Sequence, residues 1–458
     1  MKKTSKRLGR FFLAGRGMSV RTGRYLGEAI AVGVMTGLAV TAFKWGIDFA
    51  GGLFGELAAK RRCSWTDPAR WAMLFLPAAG ALLGHFLIKR FSKLEHARGT
   101  DSAIKAFHQN GGYITGTVIP VKPVASVLTV GAGGSAGYEG PVTLLGAACG
   151  SFMARKLSLS TRACRILMAA GMAAGMGALF QAPLAGAIFG FEIFYSSSDI
   201  EDEAVLPCFT ASAASYSVYA FLVGDSAWNS IFTLDARYTF SNGLRLLPYF
   251  ALAVAVAFGA RFYISFFRAT EKAFAANRMP AAAKVALGAL ATGAIGFFFP
   301  DVLGTSYGAV RSIFAMDGGG SFAGLGAVGA FSLAALFVLK TVATSLTVGS
   351  GGSGGLFAPA LVCGGALGAS AGVVLKSLFP ESIGIHPPSF ALVGMAGFLA
   401  SALRIPISSI VMVAEISGNH QLLLPAMWVC GISFWLNNGW SLYRSQVRSR
   451  ESSPVHAA

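Results

Sequence analysis

LTVGAGGSAGYEGP, Leu128 to Pro141, returns as LTVGSGGSGGLFAP, Leu346 to Pro359. The offset is constant (346 − 128 = 359 − 141 = 218), and it retains Leu, Thr, Val, Ser, Pro and four glycines. Upstream the register continues, with Lys122, Val124 and Ala125 facing Lys340, Val342 and Ala343. A second block repeats at an offset of 223, where Gly171, Met172, Ala173, Pro183 and Glu192 are answered by Gly394, Met395, Ala396, Pro406 and Glu415. The chain is two copies of one unit, and a glycine-rich loop duplicated within apolar sequence is the mark of a substrate site built at a repeat interface.

The surroundings of these loops set the solvent. Of 458 residues, 54% are hydrophobic, 12% are charged and 58 are glycine, and the mean hydropathy is +0.61. A water-soluble fold would have too little polar surface to cover itself. Apolar stretches near the roughly 20 residues a bilayer requires recur around 26–50, 71–88, 164–191, 205–224, 246–260, 285–300, 321–339 and 386–403. One polytopic all-α membrane domain is expected, with no soluble domain appended.

A net charge of +17 and a pI near 9.9 would fit nucleic-acid binding. The placement of the charge argues against it. Lys2, Lys3, Lys6, Arg7, Arg10, Arg16, Arg21 and Arg24 precede the first span with no acid among them, and Arg444, Arg448 and Arg450 follow the last. Basic residues flanking spans stay on the cytoplasmic side, so both termini are expected inside a cell inner (plasma) membrane, with some contact to anionic lipid. No tidy apolar core and cleavage site follows the first basic residues, so a cleaved signal peptide is not expected. Cys63, Cys149, Cys164, Cys208, Cys363 and Cys430 lack CxxC or CxxH spacing and read as small buried residues, neither disulfides nor metal ligands.

Glycines in spans usually serve close helix packing, which fits Gly146 to Gly150 and Gly364 to Gly372. Glycines directly ahead of Pro141 and Pro359 point instead to helices that begin in mid-membrane, where irregular backbone must be covered by protein or line a cavity. Such a helix start offers unpaired N–H groups and roughly half a positive charge. Two of them form an anion site that needs no Lys or Arg. Neither copy continues as the Gly-Lys-Ser/Thr of a phosphate-binding loop. Glu139, matched by Phe357 in the second copy, is the informative difference. A carboxylate there competes with an anion for the same helix start, and protonation releases it, coupling anion occupancy to protons with no cofactor or metal.

These residues resemble the CLC family of chloride channels and chloride/proton antiporters. GYEGP, Gly137 to Pro141, is similar to the family's GREGP, which carries the gating glutamate, here Glu139. GLFAP, Gly355 to Pro359, is similar to GxFxP, whose amides at Leu356 and Phe357 would hold the central anion. GTDSA, Gly99 to Ala103, is a degraded GSGIP, and Tyr443 matches the tyrosine whose hydroxyl faces the anion. The resemblance implies about 17 or 18 helices in two inverted repeats with half-helices broken at the midplane, a homodimer, and one pore per subunit. It implies an anion-binding set of Thr100, Ser102, Gly137, Tyr138, Gly140, Gly355, Leu356, Phe357 and Tyr443. The expected organisation is a basic N-terminal segment (1–24), a CLC-type domain (25–443, with repeats of about 25–225 and 240–443) and a short tail (444–458) without the family's CBS domains.

Three departures matter. Thr100 stands where an anion-coordinating serine belongs, with Ser102 as the other candidate, and Asp101 beside it would repel chloride unless it faces water or pairs with a cation such as Lys105. Tyr138 replaces the arginine of GREGP. Ile193 replaces the internal proton-transfer glutamate of the antiporters, which favours a passive channel, whereas retention of Glu139 favours exchange. Glu201, Asp202 and Glu203 lie just downstream as alternative inner acids or as a solvated loop. Glu192 and Glu415, equivalent in the repeat, suggest a shared structural duty, either closing a helix or bonding across the repeat interface. Lys122 and Lys340 would snorkel or face the ion path. His85, His108 and His420 suit surface or interface positions.

Chloride transport gated by Glu139, as chloride/proton antiport, is the leading reading. A passive chloride channel and a fluoride exporter are the alternatives, with Tyr443 weighing against fluoride. A non-conducting membrane sensor is the reading from another class. An embedded enzyme would need a constellation of acid, base or ligands that the spans do not offer.

Overall fold

Proline and glycine divide the apolar sequence into many more helices than a hydropathy count suggests. The computed structural model describes residues 25–52, 68–91, 99–224, 228, 232, 243–316, 326–379 and 384–456; the basic segment 1–24, Cys63 and the last two residues lie outside them. Sixteen α-helices lie among the described residues, against the 17 or 18 that the resemblance implies. In the first half they are α1 (Tyr25–Gly52), α2 (Pro68–Phe91), α3 (Thr100–Gln109), α4 (Val118–Gly131), α5 (Glu139–Lys156), α6 (Thr161–Leu179), α7 (Pro183–Glu192) and α8 (Val205–Val223). The second half contributes α9 (Leu246–Ala276), α10 (Ala281–Phe298), α11 (Tyr307–Phe314), α12 (Gly326–Gly349), α13 (Phe357–Leu378), α14 (Pro387–Leu403), α15 (Pro406–Ser417) and α16 (Leu423–Leu436).

Among the described residues, seven helices are long and apolar enough to cross a bilayer. Large apolar side chains on the outer faces, among them Phe49, Phe221, Phe331 and Trp435, stay exposed, as expected where lipid is the solvent. The chain is a multi-pass membrane protein. The apolar run at 164–191 is not one span: it breaks at Phe180–Ala182, where Gln181 takes a left-handed φ of 51° and Pro183 opens α7. Arg404, its equivalent (181 + 223 = 404), has φ 63°, and Pro406 opens α15. Hydropathy reads through the first break because the sequence around it is apolar and largely buried, whereas the apolar run at 386–403 stops at the second.

The two halves are repeats of one unit, and their contacts are exchanged in pairs. Glycines set the closest approaches: a Cβ on Gly146 would meet the Gly171 carbonyl oxygen at 2.0 Å, and one on Gly364 would meet the Gly394 oxygen at 2.6 Å. These are the same contact in α5–α6 and in α13–α14 (146 + 218 = 364; 171 + 223 = 394), and they bear out the packing role of the glycine runs. Across the repeats, Ser126 Oγ lies 2.9 Å from Ser353 Oγ and Ser135 Oγ lies 3.0 Å from Thr344 Oγ1. Since 126 + 218 = 344 and 135 + 218 = 353, each bond is the other with the copies interchanged. At the centre lies α13, whose most apolar window is 72% buried within the protein, against 33–50% for the other six spans.

Glu192 and Glu415 complete this exchange. Glu192, at the end of α7, accepts from the Ile407 and Ser408 amides at 2.8 Å each and from the Ser408 hydroxyl, capping the start of α15. Glu415, near the end of α15, accepts from Leu184 N at 3.2 Å and Ala185 N at 2.7 Å, capping α7. The residues correspond throughout (184 + 223 = 407; 185 + 223 = 408). Both carboxylates satisfy helix-start donors that would otherwise be orphaned in apolar surroundings. The structural duty suggested by their symmetry is what the geometry displays.

Candidate functional site

The two copies of the glycine loop meet. Gly137 N donates to Gly355 O at 2.8 Å and Gly355 N donates to Gly137 O at 2.7 Å, an antiparallel bridge between equivalent residues. A third helix start joins them. A Cβ on Gly99, ahead of α3, would meet Gly140 backbone at 2.7 Å, and one on Gly140 would meet Gly355 Cα at 2.9 Å. Three chains approach so closely here that no side chain fits between them, the physical reason for glycine at these positions. Neither α5 nor α13 has a side-chain cap at its N-terminus, nor does α3. Three positive helix ends therefore converge on one region. The Gly137 and Gly355 amides are consumed by each other, so these two residues position the crossing, and donors for a ligand must come from the residues after them.

Glu139 fills part of that region. Its side chain is buried and curls back over Gly137, to which a Cβ would bring Oε2 within 2.1 Å. Oε2 accepts from Ala358 N at 3.2 Å, at the start of α13 in the other repeat. Oε1 accepts from the Tyr307 hydroxyl at 2.6 Å. The carboxylate thus occupies the helix start belonging to the copy that carries Phe357 instead of an acid. Phe357 itself is buried against Phe180 and Phe189, with ring centroids 5.4 and 6.2 Å away. Tyr138 lies edge-on to Phe43 of α1 at 5.7 Å.

Tyr307 was not singled out by the sequence, and its placement has a traceable cause. Lys340 is fully buried and donates to Val302 O at 3.1 Å and Gly304 O at 2.7 Å. The Gly304 carbonyl also accepts from Ala136 N at 3.3 Å, while Gly304 N donates to Gly133 O at 3.2 Å. These bonds pin the 302–304 turn to the loop before α5, and Tyr307 follows at the start of α11. Lys340 therefore does not snorkel to a helix end, and Lys122 is buried as well.

On the other side of the crossing is a small solvent-open pocket lined by Thr100, Asp101, Gly140, Gly355, Leu356, Tyr443 and their neighbours. Thr100 and Tyr443 share this lining, whereas Ser102 is not among the lining residues. Asp101 accepts from Ser445 N at 2.9 Å, so the aspartate holds the chain after Tyr443, a partner other than Lys105. Glu271 and Arg444, an ion pair at 2.8 Å, share the lining and were likewise missed by the sequence. Of the nine residues in the anion-binding set, the crossing and this cavity bring together all but Ser102 and the rings of Tyr138 and Phe357, which pack against Phe43 and against Phe180 and Phe189.

Ile193 is fully buried at the end of α7. Glu201 is buried, while Asp202 and Glu203 are more exposed and paired with Arg450 and Arg162 respectively. His108 is not at a surface: it is buried between Ser453 Oγ at 2.8 Å and Phe194 O at 3.0 Å. Among the described residues, no three His, Cys, Asp or Glu lie close enough to hold a metal, and five cysteines are free and buried.

Comparison with known proteins follows the same lines. The model of the family described as Voltage gated chloride channel matches residues 79–438. A ClcB-like chloride channel protein of Ralstonia nicotianae is 31% identical over 386 residues, covering 83% of this chain and 85% of its own. The H(+)/Cl(−) exchange transporter ClcA of Yersinia pestis is 31% identical over 413 residues, covering 88% and 82%. The crystal structure of a slow cyanobacterial Cl−/H+ antiporter superimposes with a TM-score of 0.78 at 22% identity, over 92% of this chain and 96% of that one. At that identity the likeness is one of fold.

Proposed function

The chain belongs to the voltage-gated chloride channel family, the CLC family, and from that premise we propose that it exchanges chloride for protons across a membrane through a pore gated by Glu139. One observation carries the proposal: the Glu139 carboxylate sits on the Ala358 amide, at the convergence of three helix starts. An anion reaching that seat must displace the carboxylate, and a proton on the carboxylate weakens its hold, so the two substrates are linked through one side chain. Amide dipoles suit a permeant ion because they offset dehydration without the grip of a fixed cation.

In this reading Gly140, Leu356 and Phe357 offer backbone donors, and Thr100 and Tyr443 offer hydroxyls, with Thr100 in the place of the family's serine because it lines the cavity with Tyr443. Gly137 and Gly355 hold the crossing, and Tyr138 packs beside the gate. The Thr100–Tyr443 cavity faces the cytoplasm, where both termini lie, and the Tyr307 side faces out of a cell inner membrane. The basic segment 1–24 is a cytoplasmic arm against anionic lipid, residues 25–443 form the transport domain, and two subunits associate, each with its own pore. The protein is a transporter and not an enzyme.

The test is reconstitution in liposomes. An imposed chloride gradient is expected to drive uphill proton movement, and Glu139→Gln to abolish that movement while chloride still flows. Absence of chloride flux above empty vesicles would refute transport and favour a membrane sensor; fluoride flux alone would favour a fluoride exporter. The passive channel is supported by Ile193, which cannot bind a proton. Chloride flux without proton movement would establish it.

A further inference from the structure

Exchange needs a route by which protons reach Glu139 from the opposite side, and Ile193 stands where the family's antiporters often carry an acid for it. Resting on the exchange reading above, we propose that Glu201 is the proton-binding residue of that side, fed from water through His456. Chain geometry brings Glu201 to the right place. Its amide donates to Phe191 O at 2.9 Å, which folds residues 194–201 back so that Glu201 sits beside the same helix end as Ile193.

The other acids nearby are committed elsewhere. Both Glu192 oxygens cap α15. Asp202 pairs with Arg450 at 2.5 Å, and Glu203 pairs with Arg162, so these two form a charge-paired rim. Glu201 alone among the three is buried, at 3% exposure. Its Oε2 accepts from the Tyr195 hydroxyl at 2.7 Å on the protein side and lies 3.0 Å from His456 Nε2 on the water side. Tyr195 is fully buried, whereas the His456 side chain is 23% exposed. Arg450 stands 3.6 Å from Oε1, Asp199 accepts from the Arg450 amide at 2.8 Å, and His108 lies beside Tyr195.

A solvent-open pocket lies on this cluster, lined by Arg162, Arg165, Glu201, Glu203 and His456 among others. It shares no lining residue with the Thr100–Tyr443 cavity, so proton and chloride have separate approaches. The segment after Tyr443 builds the site: Ser196 N donates to Val447 O at 2.8 Å and Ser197 N to Arg448 O at 3.0 Å, which delivers Arg450 and His456 to Glu201. In the transfer, the His456 imidazolium gives the proton on Nε2 to Glu201 Oε2, and the neutral ring is recharged from water. The reverse sequence releases it.

Proton and chloride fluxes measured together in liposomes test the assignment. Glu201→Gln, which keeps the size and an acceptor for Tyr195, is expected to lower the proton-to-chloride ratio at least tenfold while chloride flux stays within about threefold. His456→Gln is expected to slow protons alone, with added imidazole restoring them, a rescue that a purely structural role would not produce. An unchanged ratio in Glu201→Gln would overturn the proposal, as would loss of coupling in Glu271→Gln with coupling retained in Glu201→Gln. A wild-type chain that moves chloride and no protons would overturn the exchange reading itself, and this assignment with it. A wild type that couples normally alongside an unaltered Glu201→Gln would overturn this assignment alone.

Discussion

Tyr307→Phe removes one oxygen and tests whether Glu139 competes with the anion. The ring would keep its edge-on contact with Phe232, 5.9 Å between centroids, so packing is conserved. What disappears is the 2.6 Å hydrogen bond to Oε1. Hydrogen bonds to charged groups contribute roughly 1.5–3 kcal/mol, and each 1.4 kcal/mol or so is tenfold in an equilibrium. The seated carboxylate should therefore lose a factor of about 10 to 150 relative to its displaced position. If the anion needs the same seat, its apparent dissociation constant carries that occupancy as a penalty and should fall by up to the same factor, levelling off once the seat is half empty. Titration of the purified protein with chloride by calorimetry reads this directly, and Glu139→Gln supplies the limit with no charged competitor. Tighter binding in Tyr307→Phe that approaches the Glu139→Gln value is the expected result. Unchanged or weaker chloride binding would mean that carboxylate and anion do not share a seat, and the gating argument would fail.

Three further perturbations address the scaffold. Glu192→Ala leaves the Ile407 and Ser408 amides without their acceptor, and unsatisfied buried donors cost about 1–3 kcal/mol each. Glu415→Ala strands Leu184 and Ala185 at a more exposed place. Thermal unfolding in detergent should fall in both and further in Glu192→Ala; the opposite order would contradict the burial argument. Gly140→Ala drives a methyl group to 2.9 Å from Gly355 Cα, a backbone atom that cannot swing aside. Overpacking of this kind costs about 1–3 kcal/mol or more, so a reduced monodisperse fraction on gel filtration and reduced chloride flux are expected, and a fully stable, active variant would show that the crossing is looser than described.

The duplication was legible because it preserved the residues that make it work. Gly137 and Gly355 aligned in the sequence and touch in the fold, and the matching of Glu192 with Glu415 already hinted at reciprocal caps. The break at Gln181 was hidden inside one long apolar run, marked only by Gln181 and Pro183, whereas the break at Arg404 coincides with the end of the apolar run at 386–403. Tyr307 escaped for a different reason. It reaches Glu139 across 168 residues of chain through a turn held by Lys340, and no local spacing encodes such a contact. The nearest signal was the repeated lysine itself, whose burial the snorkelling expectation had discounted. Thr100 and Ser102 were equivalent candidates on paper because both offer hydroxyls, and only the path of α3 separates them. Asp101 likewise looked like a repulsive charge until the Ser445 amide supplied its partner.

The reciprocal caps also impose an order of events on the newborn chain. Ala185 waits for Glu415, 230 residues later, to satisfy its amide. At synthesis rates of about 5–20 residues per second, that is roughly 10–50 s during which the first repeat sits in lipid with the start of α7 unfinished. Neither half can reach its final form by itself, and a ribosome that stalls between them leaves behind a fragment with exposed donors in hydrocarbon, a ready target for membrane quality control.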